Sequence, residues 1–179
     1  PIREALNSLE KMGLAESIPY VGTRLVTLNR DDVLQIYIMR RMLEPLVAEE
    51  ACRKITEDEI CHLERIHQEY VELVSAEKLD AKAIYLQNRK FHFAIYSISE
   101  MDRICSVIES LWDTLSFFKL LYGREFINTT EKAKNMIGEH RGYLEALKDH
   151  DGKRLKESLK ERLGSRIENI SKNKDYYTI

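Results

Sequence analysis

The side chains with the clearest chemical capacity stand where apolar residues belong. Across residues 83–98, AIYLQNRKFHFAIYSI, helical spacing places Ile84, Asn88, Phe91, His92 and Ile95 on one stripe. Two metal-capable or hydrogen-bonding groups, Asn88 and His92, therefore interrupt a face that should be purely core. The same departure recurs in Ile137, His140, Leu144, Leu147 and in Leu155, Leu159, Arg162, Arg166. Between these two runs lies Asp149-His150-Asp151-Gly152, a turn signal. His140 and Arg162 each lie about eleven residues from Asp151, so at ~1.5 Å rise both stand roughly 16 Å from the turn. In an antiparallel hairpin of helices they are level with each other. Burying several polar groups costs a few kcal/mol each unless they satisfy one another or something bound. Convergence of Asn88, His92, His140 and Arg162 on one internal site is the economical expectation.

The elements that must position this site are helices. The chain has 179 residues, 44% of them hydrophobic, with only three prolines and seven glycines, and long segments of 3.6-residue period. With 28 basic against 30 acidic residues the net charge is −2, so nucleic-acid binding by the bulk of the chain is not indicated. No run reaches the length of a membrane span, and the first residues lack the pattern of a signal peptide, which predicts a cytoplasmic protein without membrane association. Cys52, Cys61 and Cys105 are odd in number and have no metal-knuckle spacing, so reduced thiols are expected.

Taken in order, residues 1–13, PIREALNSLEKMG, predict a short amphipathic helix beginning at a proline and ending at a glycine. Two extended pieces follow, Ala15 to Pro19 and Thr23 to Thr27, joined through Tyr20-Val21-Gly22 as a hairpin. A helix followed at once by a small hairpin is the second half of a winged helix-turn-helix. Asp31 is a candidate cap for a helix carrying Ile36, Arg40, Leu43 and Val47, with Pro45 inside it. Thr56-Glu57-Asp58-Glu59 opens a helix running towards Lys78, whose His62 and His67, five apart, read as surface or interface residues. Ser99 to Asp102 looks like the start of a helix with a wide apolar face around Trp112. Gly123 ends it, and Asn128-Thr129-Thr130 caps the helix that carries His140.

These segments resemble the GntR family of bacterial transcription regulators nearly end to end. PIREALNSLEKMGLAE and PYVGTRLVTL resemble its recognition helix and wing. IYIMRRMLEPLVAEEAC, NRKFHFAIY, IESLWDTL and EHRGYLEALKDHDGKRLKESLKERL resemble the FCD-type sensing domain of its FadR branch. The resemblance implies an all-α antiparallel bundle of six to seven helices over residues 30–172, preceded by part of a winged helix-turn-helix over 1–29 and followed by a tail over 173–179. It implies a homodimer that binds operator DNA, with Arg3 and Asn7 on the recognition helix and Gly22, Thr23 and Arg24 at the wing. Because the chain begins inside the winged element, weak DNA binding is expected of it alone.

For the sensing domain, the resemblance implies a small organic acid effector held by Arg40, Asn88, His92, His140 and Arg162. In many members the positions of Asn88, His92, His140 and a third histidine bind a divalent metal, zinc or nickel, whose open positions take the carboxylate. Here arginine replaces that third histidine and asparagine stands at the first position. Arginine cannot ligate a metal, but its fork of donors can hold a carboxylate directly. Three expectations therefore stand side by side: a metal on Asn88, His92 and His140; direct anion binding by Arg162; or an Arg162 that extends to solvent or pairs with Glu139 or Glu161. The Arg40 and Glu44 pair is either an ordinary ion pair or part of the same site. Rival functions are a helical metal-dependent enzyme using His92 and His140, and a ligand-free adaptor whose polar stripe is filled by neighbouring side chains.

Overall fold

The polar stripe lies on helix α4 (Ala81–Ile98), which is started by Asp80, whose carboxylate accepts from the Lys82 and Ala83 amides. Ile84, Phe91 and Ile95 are buried on it together with Asn88 and His92, as the helical spacing requires. The computed structural model describes residues 1–11, 14–26, 28–121 and 130–172. Within them α4 is one of seven helices: α1 (Ile2–Lys11), α2 (Arg30–Lys54), α3 (Glu57–Ser75), α4, α5 (Asp102–Leu121), α6 (Thr130–Lys148) and α7 (Gly152–Lys172). The only sheet among the described residues is a hairpin of β1 (Ala15–Ile18) and β2 (Gly22–Leu25), paired from Ala15 with Leu25 to Ile18 with Gly22. The all-α expectation and the helix-plus-wing start both hold. The expected stop at Gly123, the caps at Asn128 and Thr129, and the tail lie outside the described residues.

Two boundaries differ from the sequence expectation. Asn29, not Asp31, caps α2: its side chain accepts from the Asp32 amide at 3.0 Å, while Asp32 accepts from the Asn29 amide at 2.9 Å. Only an acid three residues into the helix can return that bond, so the reciprocal box selects Asn29. Asp31 falls inside the first turn, where its charge favours the helix dipole. The Thr56 and Glu59 box does start α3, but that helix ends at Ser75.

Packing brings the site together. Helix α2 runs unbroken through Pro45 and lies along α7, also touching α4 and α5, while α3 packs on α4 and α6. The main core joins Val47, Ala48, Ile66, Phe91, Ile108, Trp112, Leu147, Leu155 and Leu159. Each fully buried large side chain there contributes roughly 1.5–3 kcal/mol. Helix α6 turns into α7 through His150, whose φ of 50° lies in the left-handed region, and the Asp151 amide closes the turn on the Ala146 carbonyl at 2.8 Å. That tight reversal sets His140 and Arg162 at one level. The opposite, outward face of α2 keeps Ile38, Met39, Met42 and Leu46 exposed. All three cysteines are free, and no helix among the described residues is long and apolar enough to cross a membrane.

Candidate functional site

One continuous hydrogen-bonded chain crosses the bundle. It begins at Arg162 on α7, whose Nη1 lies 2.9 Å from His92 Nε2. A guanidinium only donates, so Nε2 must be the accepting nitrogen and the imidazole proton sits on Nδ1. His92 Nδ1 lies 3.3 Å from the Tyr96 hydroxyl, which donates onward to Glu44 Oε2 at 2.8 Å. The other oxygen, Glu44 Oε1, accepts from Trp112 Nε1 at 2.7 Å and from Arg40 Nε at 2.6 Å. Arg40 is further held over the Trp112 ring at 4.2 Å. Every member has at least one partner, but Nε of Arg162 has none, and a partly satisfied buried network is the costly kind.

Glu44 and Arg40 are 1% and 6% exposed, so this is not the ordinary surface pair that the i, i+4 spacing allowed. Burial opposes the Arg40 charge, but Glu44 beside it outweighs that and holds its pKa above the usual value. Burial, then Glu44, pushes the Tyr96 hydroxyl well up, so it remains a donor at neutral pH. The structure thus adds Tyr96 and Trp112 to the residues found by sequence, and joins the Arg40 and Glu44 pair to His92 through Tyr96. Tyr96 stands one turn beyond His92 on the same stripe, a spacing that could have revealed it.

Beside this chain lies a second contact. His140 Nε2 is 3.0 Å from Asn88 Oδ1, and since a carbonyl oxygen only accepts, Nε2 carries the proton and Nδ1 is bare. The His140 ring stacks on Phe91 at 4.1 Å and meets Tyr70 and His67 edge-on. His67, taken from sequence as a surface or interface residue, is half-buried against these rings. Four of the five sequence-predicted effector residues, Asn88, His92, His140 and Arg162, meet in this region, and Arg40 reaches it through Glu44 and Tyr96.

Arg162 also answers the question of its partner. Its side chain is 14% exposed, with Nε 2.6 Å from Glu139 Oε2. The N–H is not aimed at that oxygen, so proximity supplies Coulomb attraction without a formed hydrogen bond. Arg162 also acts on the Tyr143 hydroxyl, whose pKa burial pushes up to about 12 against the pull of Arg162. Burial opposes the Arg162 charge, and the acidic groups around it, Tyr143 and Glu139 first, keep its pKa above the ordinary value. It is a cation at any working pH.

Burial, then Arg162, depresses the pKa of both His92 and His140 well below the usual histidine value. The unfolded chain takes up protons near pH 6.5 that the folded site refuses, so stability is full above that pH and falls as the pH drops below it. A loss approaching ~1.4 kcal/mol per pH unit for each histidine is expected between about pH 6.5 and 5. Urea titrations at both pH values check this, with His140→Gln expected to show about half the slope.

At the other end of the chain, Arg3 and Asn7 stand exposed one turn apart on α1, and Gly22 has a φ of 122° at the hairpin turn. Thr23 donates to Glu10 at 3.3 Å and Arg24 pairs with Glu16 across the hairpin. The five residues share the exposed winged region, with Arg24 and Thr23 engaged internally.

The residues 35–165 match the FCD domain. The chain is 31% identical over 163 residues to YdhC, an HTH-type transcriptional regulator of Bacillus subtilis strain 168, covering 90% of this chain and 68% of that one. It is 28% identical over 161 residues to the HTH-type transcriptional regulator McbR of Escherichia coli K12, covering 90% and 71%. Its fold superposes on the structure of E. coli McbR/YncC with a TM-score of 0.79 at 23% identity, over 95% of this chain and 83% of that one. The sequence, the fold and the relatives agree: this chain belongs to the GntR-type transcription regulators with an FCD domain, a family of regulators rather than enzymes.

Proposed function

We propose that this regulator senses a small carboxylate directly at Arg162, without an intervening metal. The observation that carries the reading is the Arg162 guanidinium itself: a largely covered cation with a carboxylate, Glu139, 2.6 Å from its Nε but unaligned with it. A free carboxylate can take up the in-plane, two-bond geometry that Glu139 misses. Glu139 then acts as a tethered competitor, and the ligand displaces it.

The donor set does not fit a divalent metal in this arrangement. His92 Nε2 is taken up by the Arg162 guanidinium and His140 Nε2 by Asn88, which leaves Nδ1 of His140 as the bare nitrogen and sets a fixed cation beside the histidines. Among the described residues no group of three His, Cys, Asp or Glu is placed to hold one. A second reading, a polar core that only supports the fold, draws on the complete burial of His92 and His140. Against it stand the unsatisfied atoms at Arg162 and Glu139, which a purely structural network would have paired.

Ligand binding at Arg162 pulls on His92, Tyr96 and Glu44, and so on the seating of α2 against α4 and α7. In a homodimer, that movement re-spaces two winged elements, whose Arg3, Asn7, Gly22, Thr23 and Arg24 contact a palindromic operator in the cytoplasm. Thermal shifts with acetate, propionate and succinate test the reading. Glu139→Gln is expected to bind such acids about 3- to 10-fold more tightly than the parent, because the competitor loses its charge. No stabilisation of either protein by any acid, or near-stoichiometric zinc or nickel in protein purified without a tag or chelator, would overturn it.

A further inference from the structure

The tip of the hairpin between β1 and β2 breaks a local rule. The Val21 amide closes a turn on the Ile18 carbonyl at 3.1 Å, with Pro19 at the second position of that turn and Tyr20 at the third. Tyr20 has a φ of 64°, in the left-handed region. The third position of a proline turn with positive φ favours glycine or asparagine, and a bulky ring there is strained. Backbone strain gathers at residues that are used for something, yet nothing inside the chain uses this ring. Tyr20 is fully exposed, and Val21 beside it is 79% exposed.

The surroundings of the ring narrow its partner. From Ile18 to Gly22 the tip carries no charge, and Pro19, Tyr20 and Val21 all face solvent. The one cation of the hairpin strands, Arg24, is engaged by Glu16, whose carboxylate accepts from Nε at 2.8 Å. A clamp on phosphates needs free positive charge, so this tip does not provide one. Beyond the phenol hydroxyl it has no side-chain donor or acceptor for reading base edges. Such groups stand instead on α1, where Arg3 and Asn7 are exposed one turn apart. What the tip presents is a narrow apolar wedge at the end of a two-stranded ribbon, roughly 10 Å beyond the buried Ala15. Beside a helix in the major groove, such a wedge meets the adjoining minor groove, where apolar side chains enter between base pairs and part their stack.

We propose that Tyr20 is a wedge of this kind: its ring, backed by Val21, inserts at a base step in the minor groove and kinks the duplex. Pyrimidine–purine steps such as TA unstack readily, so the tip selects operators by the flexibility of that step. The proposal rests on the winged element meeting operator DNA and is independent of what binds at Arg162.

Two duplexes of the same base-pair composition separate this wedge from ordinary electrostatic binding. In alternating d(TA) every second step is a flexible pyrimidine–purine step, whereas d(A)·d(T) is a stiff A-tract whose narrow minor groove attracts arginine. Fluorescence anisotropy with the whole chain at low salt is expected to show about tenfold tighter binding to alternating d(TA), the scale of one base stacked on an aromatic ring. Tyr20→Phe should keep that preference and Tyr20→Ala should bring the ratio close to one. Both variants should melt at the temperature of the parent, because the ring supports nothing in the fold. Equal affinity of the parent for the two duplexes overturns the wedge and leaves operator contact standing. A preference that survives in Tyr20→Ala overturns the role of Tyr20. Binding to neither duplex overturns the wedge together with the operator contact it rests on.

Discussion

Arg162→Ala should weaken binding of any carboxylate ligand by roughly 30- to 1000-fold, the loss expected when one partner of a buried, hydrogen-bonded charge pair is truncated. The side chain touches His92 directly, and it approaches from α7 with its head 14% exposed. Its removal frees Glu139, which at 35% exposure can hydrate, so the acid left behind costs little. The cost to folding comes instead from His92 Nε2, which loses its donor at complete burial, about 1–3 kcal/mol. Calorimetric titration with the tightest acid found and urea unfolding separate the two effects. Arg162→Lys sharpens the test: it keeps the charge and loses the fork, so it should recover only a minor part of the affinity. Full affinity in Arg162→Ala would remove the guanidinium from ligand binding.

Glu44→Ala is expected to cost about 3–5 kcal/mol of stability, among the largest effects available to one substitution here. Its carboxylate is the convergence point of Arg40, Tyr96 and Trp112, and removal strands the Arg40 cation in the core with two further donors unpaired. Replacing both charges together, with Arg40→Met and Glu44→Leu, should return much of the loss, since a buried ion pair adds little over apolar side chains of similar size. Denaturant midpoints of the two variants decide the matter. A cost below about 1 kcal/mol for Glu44→Ala would mean that water enters this part of the core.

Much of this was legible from spacing. The turn at Asp149 to Gly152 and the equal distances to His140 and Arg162 were enough to expect that the two side chains lie level, and the stripe through Asn88 and His92 is buried as its period requires. The same rule reached further than it was applied. Ile60, Leu63, His67, Tyr70 and Val74 follow one another at intervals of three and four on α3, and all but His67 are buried apolar or aromatic residues. His67 therefore interrupts a core stripe just as His92 does, and comparing it with His62, on another face, hid the pattern. Glu44 was hidden differently. An arginine and a glutamate four apart are common on solvent-facing helix surfaces, and only the packing of α4 and α5 over them decides that this pair is internal. Glu139 was legible as a neighbour of Arg162, but the misalignment of its oxygen is a matter of angles that no sequence pattern carries.

Helix α2 faces two ways. Towards the core it presents Arg40 and Glu44, the far end of the hydrogen-bonded chain that starts at Arg162, and towards the outside it presents Ile38, Met42 and Leu46 at intervals of four. A helix with its side chains is about 10 Å across, so the polar interior and the apolar exterior are separated by one rod's thickness. Pro45, next to Glu44, lacks the amide that would tie it to the Arg41 carbonyl, which leaves the rod softest beside the residue the internal chain pulls on. A message that crosses the bundle by hydrogen bonds therefore has no long route to travel before it can be felt by whatever rests on the outer stripe: bending the rod at its weakest joint delivers it.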